Sequence, residues 1–454
     1  MEISLRISYF WSYSPLNFEI IAPMPPVTST DPKNDKFSKF LGSNNYRWRI
    51  CALLFFATTI NYLDRHVLSI LAPQLQEMYD WSEVDYGFIV TSFQAAYGLG
   101  VILTGHLLDK FGIRLIYSIA IAVWSLAGMG HALASSAISF AAARFTLGLG
   151  ESANFPAAIK TVAEWFPKKE RSLAAGIFNA GSNIGAIVSP LLVPWIALSF
   201  GWQWAFISTG AIGFIWLIFW IKTYRKPEKH PKVSQEELQF IESDGEETKT
   251  KLSWGQVIFR REVLVICLAR FLTDPVWWFL LYWLPKFLNQ NHGITLTDIG
   301  LPLIAIYVFA DLGSVGGGWL PSRFINKGMS LDRARKLALL ICAICVVPII
   351  FASQTSSLWL SVALISLATA AHCGWVANVY TLISDLFPKK AVASVVGVST
   401  FSAVVGSMFV ATAVGFILET TGSYFIIFMT AGFMYLIAWL IIKFGIPKIK
   451  TVEF

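Results

Sequence analysis

The sequence predicts an all-α membrane protein of about twelve transmembrane helices, arranged as two related bundles of six, and three observations predict it. The chain of 454 residues is 55% hydrophobic and 14% charged, with a mean hydropathy of +0.59, where a soluble domain carries about 25% charged residues. Apolar runs of roughly 20 residues recur along its whole length, each long enough at about 1.5 Å per residue to cross a hydrocarbon core of about 30 Å. Two distant stretches also repeat each other. EWFPKKERSLAAGIFNAGSNIG from Glu164 is echoed by DLFPKKAVASVVGVSTFSAVVG from Asp385, which aligns Pro167 with Pro388, Gly176 with Gly397 and Gly185 with Gly406. A duplicated helical unit points to a transporter whose substrate lies between the halves, near the membrane midplane.

Taken in order, apolar runs bounded by charges, Gly and Pro place spans near 49–73, 84–108, 113–134, 137–163, 172–199 and 203–223, then 262–288, 298–321, 334–353, 357–384, 391–418 and 423–444. The longest hydrophilic interruption runs from Lys222 to Arg261, after six spans and before six more. The expected layout is a disordered cytoplasmic tail over 1–46, a first bundle over 47–223, a cytoplasmic linker over 224–260, a second bundle over 261–445 and a short tail over 446–454. Met24 opens a sequence that looks like a more natural start than Met1, and the tail lacks the pattern of a signal peptide. Basic residues cluster in alternate loops, for example Arg47 and Arg49, Lys168 to Arg171, Arg333 to Lys336, and Lys389 with Lys390. The positive-inside rule then puts both termini in the cytoplasm of a multi-pass protein of the plasma (inner) membrane.

The net charge of +7 does not point to nucleic acid, because the basic residues sit in short clusters between apolar spans. Membrane lipid is the expected surface partner, and the chain is expected to be a monomer. Cys51, Cys267, Cys342, Cys345 and Cys373 all fall within spans, so neither a disulfide framework nor a metal site is expected, and no cofactor. The intramembrane polar residues form no HExxH and no Ser/His/Asp set, which argues against an enzyme.

Between the second and third spans lies GHLLDKFGIR. Gly105 and Gly112 would permit a tight turn, Asp109 could accept from a helix N-terminus or a neighbouring base, and Lys110 and Arg114 add positive charge. This stretch resembles the G-x-L-x-D-K/R-x-G-x-R/K loop signature of the major facilitator superfamily. In the second half, GGWLPSRFINKG keeps Gly318 and Arg323 but has Ser322 in place of the acid. TTINYLDRHVL, VTSFQAAYGLG, ARFTLGLGESANFPAAIKTVAEWFPKKER and RFLTDPVWWFLLYWLPKFL are similar to the anion:cation symporter branch, and within it to hexuronate transporters. The resemblance implies the major facilitator fold and proton-coupled import of sugar acids such as galacturonate and glucuronate, with no covalent chemistry. Galactonate, glucarate or another organic anion, organic phosphate exchange, and a non-transporting nutrient receptor remain as alternatives.

The ionisable residues inside the spans name the candidate site, since such groups line a polar path or pair with one another. In NYLDRH of the first span, Tyr62 and Arg65 share a face with Asn61 one turn behind, while Asp64 is turned by about 100°. Arg65 is the expected substrate anchor, because guanidinium offers a carboxylate a planar fork of donors and stays charged. Tyr62 and Tyr97 would donate hydroxyl hydrogen bonds to the sugar. In the fourth span Arg144 and Glu151 lie on one face about 10.5 Å apart along the axis, and Arg144 is the expected counter-ion of Asp64. Asp64 and Glu151 are the expected proton carriers.

In the second half the repeat maps Glu151 onto His372 and Asp64 near Asp274, with Trp375 and Asn378 one turn apart as further candidate ligands. Trp278 and Tyr282 share a face and could form a platform for a pyranose. Asp274 precedes Pro275, which breaks the helix ladder and predicts a gating bend. Ser399, Thr400 and Ser402 add hydroxyls to a helix expected to line the cavity. Lys160 is expected to snorkel to the membrane surface, and His66 is set aside as structural.

Overall fold

The computed structural model describes residues 45–243, 259–450 and Val452. Nearly all of the 1–46 tail, the question of Met1 against Met24, the middle of the 224–260 linker and the last residues of the 446–454 tail lie outside the described residues. The first bundle comprises α1 (Tyr46–Tyr79), α2 (Glu83–Phe111), α3 (Ile113–Gly130), α4 (Ala137–Glu151), α5 (Asn154–Trp165), α6 (Lys168–Phe200) and α7 (Trp202–Thr223). A short α8 (Gln235–Ile241) precedes the second, which comprises α9 (Arg261–His292), α10 (Gly300–Asn326), α11 (Leu331–Val346), α12 (Leu358–Leu386), α13 (Lys389–Thr421) and α14 (Phe425–Gly445).

Ten of the described helices are long and apolar enough to cross a membrane. Counting α1, and α4 with α5 as one broken span, gives twelve passes. α1 falls short because its apolar run is interrupted by Asp64 and Arg65, and α4 and α5 because the break leaves each shorter than a full span. The outside of the bundle is apolar, with Phe56, Leu103, Leu126, Trp195, Val315 and Phe409 all exposed, as a lipid-facing surface requires.

The fourth span is expected as one helix over 137–163, but it breaks at Ser152 and Ala153. Pro156 explains the break, since it has no N–H for the carbonyl four residues back and its ring crowds that carbonyl, here Ser152. Glu151 therefore ends a helix at mid-membrane. Elsewhere the boundaries follow local chemistry. Ser82 and Asp85 form a capping box at the start of α2, and Gly112, at φ +83°, turns the chain from α2 into α3. Gly105 does not contribute to that turn; it lies within α2 facing open space.

Each bundle is held by close contacts at small residues, and the contacts repeat between halves. In the first, Gly181 and Gly185 bring α6 against α1, so that a methyl there would meet the carbonyl oxygens of Phe55 and Thr59 at 2.3 and 2.5 Å. In the second, Gly406 brings α13 against α9, with the Phe271 carbonyl oxygen 2.3 Å from where a methyl would sit. That carbonyl is the one freed by Pro275 four residues on. The spacing of Gly181 and Gly185, like that of Gly313 and Gly317 against α12, is the small-xxx-small pattern of membrane helix packing.

The two halves are fastened at the end opposite the basic loops. There Glu83 of α2 pairs with Lys286 of α9, and the Glu83 backbone N–H donates to Glu419 of α13 at 2.8 Å. The Tyr86 hydroxyl donates to the Tyr282 carbonyl at 2.7 Å. At the basic end the ion pairs Lys160–Asp109 and Arg335–Asp385, both 2.8 Å, each stay within one half. Lys160 thus holds Asp109 of the loop motif rather than snorkelling. Glu237 of α8 accepts from the backbone N–H groups of Tyr46 and Arg47, each at 3.0 Å, and so caps α1.

The close approach at Gly185 makes a sign-specific prediction. Gly185→Ala should lower the melting midpoint in detergent, by the roughly 1–3 kcal/mol that overpacking costs. Gly176→Ala, where a methyl meets nothing within 4 Å, should leave it unchanged or raise it, since Ala favours a helix by about 1 kcal/mol over Gly. Equal midpoints for the two variants would contradict the α1–α6 contact.

Candidate functional site

A buried cation surrounded by aromatic rings lies where α1, α2 and α9 meet. The Arg65 guanidinium carbon is 4.8 Å from the ring of Tyr62, 5.2 Å from those of Phe93 and Tyr97, and 5.4 Å from that of Trp278. Tyr282 stacks on Trp278 at 5.9 Å. Helical spacing explains the box, because Phe93 and Tyr97 are one turn apart on α2, as Trp278 and Tyr282 are on α9. Rings of this kind attract a cation through their quadrupoles while keeping lipid away from it.

Glu151, brought to this depth by the break before Pro156, neutralises Arg65. Arg65 Nη2 and Nε donate to Glu151 Oε2 at 2.8 and 3.0 Å, and Nη2 also reaches Asn61 Oδ1 at 3.3 Å. Both partners are almost wholly buried, at 3% and 0% side-chain exposure. Glu151 Oε1, Asn61 Nδ2 and the Tyr282 hydroxyl are buried with no hydrogen-bond partner. A pocket of this composition holds unspent donors and acceptors beside a guanidinium, which is what a polyhydroxylated carboxylate requires.

Arg144 is within electrostatic reach of Asp64, as expected of its counter-ion, but makes no direct ion pair with it. Arg144 lies at the expected depth, but its Nη2 donates to the backbone carbonyl of Arg65 at 3.2 Å, and Nε and Nη1 have no partner. Asp64, 3% exposed, makes no ion pair among the described residues. It points away from Arg65, toward Thr209 of α7. The turn of about 100° between consecutive helix residues separates the two.

Three second-half candidates are placed away from this box. His372 Nδ1 is bonded to the Tyr435 hydroxyl at 2.6 Å, and its ring stacks on Trp277 at 5.3 Å. Trp375 is fully buried edge-on against Tyr435. Asn378 donates to the Gly317 and Gly374 carbonyls at 2.7 and 2.8 Å. These side chains form the packed interior of the second half. The face of α12 nearest Tyr62 carries Cys373 and Tyr380 instead, so the expected face is out of phase by about one residue. Asp274 lies on α9 beside the helix-interior Pro275, paired with Arg270 at 2.7 Å.

Sequence reasoning passed over Phe93, Gln94, Arg270 and Tyr380. Phe93 carried a signal, one turn before Tyr97 in the string FQAAY. Gln94, 1% exposed, has no partner on either amide atom. Well away from the box, Lys110 lies over Phe111 at 5.1 Å and Arg114 donates to the Ile221 carbonyl at 2.7 Å, so the loop motif ties α3 to α7. An apolar groove of about 160 Å³ between α9, α13 and α14 is lined by residues such as Phe271, Pro275, Val414 and Ile427 and has no charged lining residue. It is a lipid-side feature and not part of the polar site.

Comparison with known proteins agrees with this architecture. The chain is 34% identical over 383 residues to a hexuronate transporter of Escherichia coli strain K12, covering 83% of this chain and 88% of the relative. It is 35% identical over 305 residues to a galacturonate transporter of Dickeya chrysanthemi, covering 66% and 88%. It is 32% identical over 398 residues to a probable galactarate/D-glucarate transporter of Bacillus subtilis strain 168, covering 83% and 87%. Among solved structures, the xylose transporter of E. coli in an inward open conformation superposes with a TM-score of 0.70 at 18% identity, covering 88% of this chain and 96% of that one. The sequence profile of the Major Facilitator Superfamily matches residues 54–411, and the chain belongs to that superfamily of membrane transporters.

Proposed function

We propose that the protein imports sugar acids of the hexuronate class, galacturonate and glucuronate, by proton-coupled symport. The observation that carries this reading is the Arg65–Glu151 pair inside its aromatic box. An arriving carboxylate competes with Glu151 for the same guanidinium donors, and a displaced, buried Glu151 is costly unless it takes up a proton. Substrate and proton then load together. Tyr62, Tyr97, Trp278 and Tyr282 supply apolar ring faces and hydroxyls for the sugar. Asp64 is the second proposed proton site, a buried carboxyl beside the Thr209 hydroxyl that makes no ion pair among the described residues. The names of the relatives, hexuronate, galacturonate and galactarate/D-glucarate transporters, support an anionic sugar substrate.

The proposed cycle rocks the 47–223 and 261–445 halves about this site, joined by the linker over 224–260. With both termini in the cytoplasm of a plasma-membrane protein, the contact between Glu83 and Lys286 closes the outer side and the arrangement opens inward. Outward opening then requires that this pair separate.

The test is uptake of labelled galacturonate and glucuronate by proteoliposomes, against galactonate and glucarate, with and without an inward proton gradient. Gradient-dependent accumulation of the two hexuronates is expected. Uptake that ignores the gradient would remove proton coupling, and a preference for galactonate or glucarate would reassign the substrate.

Two sets of variants probe the roles. Asp64→Asn and Glu151→Gln should each lose accumulation against a gradient while keeping substrate exchange, and a variant that still concentrates substrate is not altered at an obligatory carrier. Arg65→Lys should weaken binding about ten- to a hundred-fold, the worth of one charged hydrogen bond. Trp278→Ala should weaken it about two- to thirty-fold, the range of a desolvated cation–ring contact. Wild-type dissociation constants from calorimetry would contradict both assignments.

A further inference from the structure

The transport reading assigns no task to Arg270, a buried cation of the second half. Arg270 lies on α9 eight residues before Trp278, the indole packed on Arg65, and therefore about 12 Å nearer the basic end. Its Nε and Nη2 donate to Asp274 Oδ2 at 3.1 and 2.7 Å. Its Nη1 donates to Ser399 Oγ at 3.1 Å and Thr400 Oγ1 at 2.9 Å, both on α13. The Tyr380 ring of α12 lies 5.2 Å from its guanidinium carbon.

This cluster borders the cleft between the halves. Tyr380 is 39% exposed, and it lies within electrostatic reach of Tyr62, the ring that packs on Arg65. Arg65, Tyr62, Tyr380 and Arg270 thus form a row from one half to the other. The two arginines are held in the same way. In each, Nε and Nη2 converge on a single oxygen of a resident carboxylate, Glu151 Oε2 or Asp274 Oδ2. Neither pair is the two-oxygen fork that favours guanidinium–carboxylate recognition. A ligand carboxylate that used both oxygens could displace the resident one, and the Thr400 and Tyr380 hydroxyls lie beside Arg270 for a sugar, while Ser399 Oγ, which donates to the Val396 carbonyl at 3.1 Å, helps to hold the guanidinium.

We propose that Arg270, with Ser399, Thr400 and Tyr380, is a second carboxylate subsite, which takes the acid group of the substrate after it leaves Arg65 for the basic end and displaces Asp274. The proposal rests on the transport reading above. It makes Asp274 a competitor of the substrate, whereas an ion pair that only braces α9 has no such relation to binding.

The experiment measures the dissociation constant of galacturonate by calorimetry on the purified full-length protein, with the melting midpoint of each variant recorded beside it. Asp274→Asn, which removes the competing charge, should bind galacturonate about tenfold more tightly even if its melting midpoint falls. The double variant S399A/T400V, which keeps the ion pair, should bind about tenfold more weakly with a midpoint near that of the wild type. An affinity that is unchanged or weakened in Asp274→Asn would overturn the subsite and leave a structural brace. Sulfate that raises the midpoint of the wild type but not of Arg270→Gln, with galacturonate affinity insensitive to Asp274→Asn, would assign the site to an inorganic anion and overturn it equally. Failure of the wild type to bind any sugar acid would defeat the transport reading and this proposal together, an outcome distinct from galacturonate binding that depends on Arg65 alone.

Discussion

A guanidinium in the middle of a membrane protein has to be neutralised, and the rest of the site is arranged around how that is done for Arg65. Breaking a buried ion pair by removing one partner costs about 3–5 kcal/mol, so Glu151 must arrive at the right depth and stay there. Pro156 ends α4 at that depth, and the glycines of α6 let α1 lie close against its neighbour. The aromatic box then keeps Arg65 away from hydrocarbon on its remaining sides. Each of these elements would be a defect in an ordinary membrane helix: a proline break, missing side chains, a charged pair. Together they create one polar position in an apolar bundle.

The same pairing logic repeats along the axis between the halves. Glu83 and Lys286 meet at one end, Arg65 and Glu151 at the centre, and Arg270 and Asp274 toward the basic end. The first of these joins the two halves, while the other two lie inside one half each. On the proposed cycle, rocking of the halves separates the pair that joins them and leaves both inner pairs intact, to be opened by a ligand of matching charge.

How much of this was legible in the sequence depended on what a helix period can report. Periodicity gives the face and depth of each residue on its own helix, so Asn61, Tyr62 and Arg65 could be grouped, and likewise Trp278 with Tyr282. It does not give the rotation of one helix against another. That is why Arg144 could be set at the depth of Asp64 yet be bonded to the Arg65 carbonyl, and why Glu151 was not recognised as the partner of Arg65. On α12 the interior and cleft faces differ by about one residue, and both carry aromatic and polar side chains, so Trp375 and Asn378 could not be told from Cys373 and Tyr380. Arg270 was hidden for another reason. It lies more than two turns inside the seventh span with no helix-period partner but Asp274, and only the folded chain brings Ser399 and Thr400 of α13 against it. The fold itself was easier to read, because twelve apolar runs and a duplicated FPKK segment do not depend on interhelical rotation.

The separation of Asp64 from Glu151 has a consequence for coupling on the proposed scheme. A carboxylate that shares its arginine with the substrate responds to loading, so Glu151 ties protonation to occupancy. Asp64, the residue before Arg65, faces α7 and the Thr209 hydroxyl, and it shares no arginine donor with the substrate. Its environment changes only if α1 moves against α4 and α7. Arg144, bonded through Nη2 to the backbone of α1 at Arg65, is the group positioned to transmit such a movement: a small rotation of α1 would bring its two unused guanidinium nitrogens toward Asp64. One carboxyl then responds to the substrate and the other to the conformation: tying a proton to occupancy keeps the empty carrier from moving protons alone, and Asp64 is left to sense the movement of α1.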